Sequence, residues 1–167
     1  MDTSAQNTHP AVGTWTLDPA SSSIGFRAKA LFGMKVNGRF DRYESSIIVG
    51  TDAASSSVSI TVRADSVNTG SKKRDEHLRS ANAFSVETFP NIEFTSTSIT
   101  EAADGIELAG QLKVRDVAKP VTLHATRVAG TDRYTAETVV MPKEFGITRP
   151  GTGKPLTIVI DAVLRRA

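Results

Sequence analysis

From Trp15 onward, apolar and polar residues alternate with a period of two. In SSIGFRAKALF, Ile24, Phe26, Ala28, Ala30 and Phe32 share one phase, with Arg27 and Lys29 in the other. SVSITVRA sets Val58, Ile60 and Val62 against Ser57, Ser59, Thr61 and Arg63, and NIEFTSTS sets Ile92 and Phe94 against Glu93 and Thr95. GIELAGQLKVRD contributes Ile106, Leu108, Leu112 and Val114, and PVTLHATRV contributes Val121, Leu123 and Ala125. PLTIVIDAVL closes with Leu156, Ile158, Ile160, Ala162 and Leu164. Alternation of this kind predicts antiparallel strands with one apolar face and one face in water.

Turn residues punctuate the runs at Asp18-Pro19, 50–54, Ala103-Asp104-Gly105, 129–132 and 149–155. Adding runs at 36–43, 44–49 and 133–141 gives about eight or nine strands, an all-β chain forming a sandwich or a closed barrel. Closure removes the exposed edges that invite aggregation. No internal repeat or second domain is visible; residues 1–13 read as a polar tail and 14–167 as one domain. Asn37-Gly38 breaks the pattern. Alone it signals a tight hairpin, but Val36, Gly38 and Phe40 keep the alternation, which favours a bend inside a strand.

One segment has a different period. In KKRDEHLRSANAF, Leu78, Ala81 and Phe84 recur at three-residue spacing, predicting a short helix over about 71–84. Ser71 is its N-cap, Asp75 faces Arg79 at i+4, and Pro90 bars continuation. Asp75, Glu76 and His77 are consecutive, so on a helix they point about 100° apart and do not converge. His77 reads first as a helix histidine in a charged network, with general acid–base work the alternative. A metal reading lacks a spaced partner. The basic residues Lys72, Lys73, Arg74 and Arg79 are interrupted by Asp75 and Glu76, which suits a solvated face rather than a nucleic-acid patch.

Composition narrows the classes further. The net charge is +2, giving no general pull toward nucleic acid. Cysteine is absent, which removes disulfides, thiolate nucleophiles and Cys-ligated metals. The start MDTSAQNTHPAVGTW has neither a basic n-region nor an apolar h-region, and no run reaches the ~18 apolar residues of a membrane helix. A cytoplasmic protein is the expectation from this. No Gly-x-Ser-x-Gly, P-loop or Gly-x-Gly-x-x-Gly occurs. Small residues recur in the apolar phase (Ala28, Ala30, Gly38, Ala64, Gly110, Ala125, Ala136, Ala162), and an eight-stranded barrel can hold one small ligand or be filled by side chains. The sequence leaves that choice open. A cavity, if present, is lined by apolar side chains and suits a hydrocarbon chain.

Four blocks resemble the YceI-like family: TWTLDPASSSIGFRAKALFGMKVNGRF, RDEHLRSANAFSVETFPNIEFTST, LAGQLKVRDVAKPVTL and KEFGI, in order across roughly residues 14–165. The resemblance implies an extended, eight-stranded, antiparallel lipocalin-like β-barrel that binds a polyisoprenoid or similar amphiphilic lipid. Its relatives are often bacterial periplasmic proteins, and it admits a homodimer. Asp116 stands where the family usually has Gly, and Pro142 replaces a frequent Arg. The expected function is therefore non-enzymatic carriage or storage of a quinone- or polyprenyl-type lipid, without a cofactor or metal. Phe26, Phe40, Ile60, Val62, Phe94, Leu112, Val114, Leu123 and Ile160 are the expected cavity lining, with Arg74 and His77 at its rim. The alternative is an enzyme acting on a hydrophobic substrate through His77 and Asp75.

Overall fold

The computed structural model describes residues 10–31, 34–148 and 153–167. Among the described residues there are eleven strands: β1 (Gly13–Leu17), β2 (Ser23–Leu31), β3 (Met34–Phe40), β4 (Tyr43–Val49), β5 (Ser57–Arg63), β6 (Val67–Asn68), β7 (Asn91–Ala102), β8 (Gly105–Val114), β9 (Val117–Arg127), β10 (Arg133–Val140) and β11 (Leu156–Arg166). An α-helix, α1 (Lys72–Arg79), lies between β6 and β7.

Pairing register reduces these to eight long strands. Leu17 of β1 faces Leu164, and Ser23 of β2 faces Asp161, so β1 and β2 run in one direction along a single partner, β11. Residues 18–22 bulge out between them, held because Asp18 N (2.7 Å) and Ser22 Oγ (3.2 Å) both donate to the Val163 carbonyl. Asp18-Pro19 is therefore a bulge within a strand rather than a hairpin turn. In the same way β3 and β4 follow β2 and β1, and β5 and β6 follow β4 and β3. Buried Ser66 staples these last two breaks together, donating to Arg63 O (2.7 Å) and accepting from Arg42 N (3.0 Å). Bulges of this kind let a strand coil around a small closed barrel. The eight strands follow chain order, and β1–β11 pairing closes the sheet.

Alternation is obeyed as expected. Ile24, Phe26, Ala28, Ile60, Val62, Phe94, Leu108, Leu112, Leu123 and Ala125 are all buried. The outer face carries cross-strand ion pairs such as Arg27–Glu137 (3.0 Å) and Arg133–Asp161. Apolar-in and polar-out is the reverse of a membrane barrel. Among the described residues no helix is long and apolar enough to cross a membrane. The side chains of Ala30 and Phe32, residues 1–9 of the tail and residues 149–152 of the 149–155 turn lie outside the described residues.

The Asn37-Gly38 question has a steric answer. Both residues sit inside β3, where Gly38 faces Phe26 across the ladder. A Cβ on Gly38 would meet the Phe26 ring at 2.3 Å. Glycine is there because an aromatic ring covers its backbone, and the strand is interrupted only later, at Asp41-Arg42.

Candidate functional site

The barrel interior is not filled. One cavity of about 140 Å³ lies toward the end covered by α1, and a second of about 120 Å³ lies toward the end carrying the 50–56 and 103–104 loops. Either is roughly ten times the space that a single buried water needs. The reading of a barrel packed solid is thereby set aside.

Each chamber is built by the inward phase of several strands. Phe26, Phe40, Val62, Leu112 and Val114 line the helix-end chamber, closed above by Leu78, Ala83 and Phe84 and on one side by Pro142, Phe145 and Ile147. Leu17, Ile47, Ile106, Leu108, Ala125, Tyr134, Ala136 and Ala162 line the loop-end chamber. Ile60, Phe94, Leu123 and Ile160 border both and form a waist between them. All nine expected lining residues border the helix-end chamber, and these four border the loop-end chamber as well.

The small residues of the inner phase divide into two kinds. Ala125, Ala136 and Ala162 leave open volume in the loop-end chamber. Gly38 and Gly110 do not. A Cβ on Gly110 would lie 2.5 Å from the Thr95 carbonyl oxygen and 2.7 Å from the Phe94 ring, so each glycine has an aromatic side chain against it and Gly110 a backbone carbonyl as well. Phe26, Phe40 and Phe84 then form a chain of rings with centroids 6.0 and 5.8 Å apart across the helix-end chamber.

The cap over that chamber differs from the expected helix. Ser71 accepts from Arg74 N (3.3 Å) and starts α1 as anticipated. The helix stops at Arg79, because Ser80 turns extended and its N and Oγ both donate to the His77 carbonyl. Ala81 is consequently exposed, and Ala83, 1 % exposed, takes the inward place beside Phe84. Asp75 turns back to Thr69, accepting from its N (2.9 Å) and Oγ1 (2.6 Å), rather than forward to Arg79. Arg74 binds the same threonine, donating to Oγ1 and to the carbonyl at 3.0 Å each. Arg74 and His77 do not border either cavity, whereas their neighbour Leu78 does. Asp75 is committed to holding the start of the helix through its two bonds with Thr69.

Sequence reasoning passed over two polar residues. Arg115 sits in the two-residue β8–β9 turn with φ +59°, a conformation uncommon for a side chain of this size. Its Nη1 donates to the carbonyls of Ala81 (2.9 Å) and Ala83 (2.8 Å), and its guanidinium lies over the Phe89 ring. It latches the 80–89 segment down over the chamber. Asp116, the departure from the family pattern, is next to it but is not itself in the left-handed region. The other is Tyr134, buried in the loop-end chamber. Burial pushes its phenol above the usual range, the Arg127 charge opposes this and Asp132 adds to it. Its place in the Tyr134–Ala136 inner phase was the available signal. Pro142, the second departure, is buried against the helix-end chamber and begins a short 3₁₀ turn, Pro142–Phe145. Among the described residues no group of three or more His, Asp or Glu could hold a metal ion.

Known proteins share this architecture. BcnA of Burkholderia cenocepacia aligns over 89 % of this chain and 99 % of its own, with TM-score 0.79 and 18 % identity. A YceI protein of Campylobacter jejuni aligns over 88 % and 95 %, with TM-score 0.65 and 25 % identity. A polyisoprenoid binding domain of Saccharophagus degradans, implicated in plant cell wall breakdown, aligns over 90 % and 98 %, with TM-score 0.64 and 16 % identity. In sequence, Protein YceI of Salmonella newport is 31 % identical over 134 residues, covering 75 % of this chain and 70 % of the relative. The YceI-like domain model matches residues 15–164, so the chain belongs to the YceI-like family.

Proposed function

We propose that the protein binds the hydrocarbon chain of a polyisoprenoid or similar amphiphilic lipid inside the barrel, and carries or stores it without chemical change. The observation that carries this reading is the pair of adjoining apolar chambers, in which the helix-end lining offers Thr138 as its one polar side chain among the described residues. An apolar, poorly hydrated cavity rewards a ligand that buries CH₂ groups, at about 0.8 kcal/mol each before ordering costs. Each isoprene unit then supplies roughly 3 kcal/mol, and a few units suffice for micromolar affinity. Asp52, Ser56, Ser57 and Glu101 border the loop-end chamber and offer polar contacts to a quinone or polyprenyl headgroup there. The polyisoprenoid-binding relative with the same fold supports the ligand class.

Native mass spectrometry of the purified protein, followed by organic extraction, tests the proposal. A discrete mass increment that extraction removes, and that added prenyl lipid restores, is the expected result. A protein that emerges empty and takes up no prenyl alcohol or quinone contradicts it.

A further inference from the structure

The waist between the chambers has a consequence for which lipids are held, given the lipid-binding reading above. Ile60, Phe94, Leu123 and Ile160 come from β5, β7, β9 and β11, so they meet from around the circumference rather than from one wall. Phe94 is the bulkiest of the four. It stands directly opposite Ile60 across the β5–β7 ladder, and its ring lies against the backbone of Gly110 on β8. That glycine leaves the space into which the far edge of the ring reaches. Along β8 the same level divides the molecule, with Ile106 and Leu108 facing the loop-end chamber and Leu112 and Val114 facing the helix-end chamber.

We infer that this waist is a chain-length gauge. A short hydrocarbon chain is accommodated within one chamber. A long chain passes between Phe94 and Leu123 and fills both, gaining burial that the short chain cannot reach. Selectivity for long chains therefore depends on the waist staying passable, and Phe94 on Gly110 sets its width.

The test compares two alcohols with the same headgroup, tritiated farnesol and tritiated solanesol, partitioning from phosphatidylcholine vesicles into the protein. Leu123→Trp narrows the waist, Val114→Phe occupies the helix-end chamber and Ala136→Phe occupies the loop-end chamber. Solanesol is expected to lose about tenfold or more in affinity with each of the three, the cost of leaving a few methylenes unburied. Farnesol is expected to lose clearly less affinity than solanesol with Leu123→Trp, a position that borders both chambers, and to respond to only one chamber variant. Equal losses of the two alcohols with Leu123→Trp, or a solanesol affinity indifferent to either chamber variant, overturn the gauge. Should Leu123→Trp fail to fold, as read by circular dichroism, the two chamber variants decide alone. A wild-type protein that binds neither alcohol refutes lipid binding itself, an outcome distinct from failure of the gauge.

Discussion

At the scale of single residues, the interior is shaped as much by what glycine omits as by what phenylalanine supplies. Gly38 under Phe26 and Gly110 under Phe94 leave no room for a methyl group. Gly38→Ala is expected to force the Phe26 ring off its site and to cost about 1–3 kcal/mol, the usual range for overpacking. Urea unfolding measures it as a lower midpoint with an unchanged slope. Tyr134 makes a second prediction. Its folded-state pKa is raised above the unfolded phenol value of about 10. The neutral phenol therefore contributes stability that is fully present below about pH 10 and lost as pH rises through the folded value. Tyr134→Phe should flatten the decline in melting temperature above about pH 10 while leaving the neutral-pH slope unchanged.

At the scale of elements, the cap is the part of the barrel wall that strands do not provide. The 80–89 segment has little regular structure and is held by main-chain returns, such as Phe84 N donating to Leu78 O (2.9 Å), and by the Arg115 latch. Arg115→Ala removes both carbonyl contacts and is expected to cost about 1–2 kcal/mol. The loss should be local: hydrogen exchange at 80–89 should quicken while the amides of β8 and β9 keep their protection. The contrast between cap and strands also shows where the sequence was legible. Period-two runs locate strands such as β5, β8 and β9 because one face is drier than the other, a signal that every residue of the run repeats. The helix has only Leu78 and Phe84 as firm markers, so its end could not be placed. The spacing pointed to Ala81, but a hydrogen bond from Ser80 to the preceding turn moved Ala83 into that role.

At the scale of the whole molecule, the apolar phase gave the lining residues directly, because in a closed barrel every inward side chain faces the same space. What alternation cannot convey is how much of that space stays empty. Glycine and alanine look alike in the pattern, yet Gly110 receives a ring while Ala136 leaves room. The bulges at 18–22 and 41–42 were equally hidden, since Asp18-Pro19 carries the same residues as a hairpin turn. The central claim, that a hydrocarbon chain lies within both chambers, is tested most directly by isotope-filtered NOE spectroscopy. The experiment uses methyl-labelled protein and an unlabelled long-chain prenyl alcohol. The predicted result is ligand contacts to the methyls of Val114 and Leu112 in one chamber, Ile60, Leu123 and Ile160 at the waist, and Ala136 in the other. Contacts confined to outward-facing methyls such as Val139, 63 % exposed on β10, would contradict it.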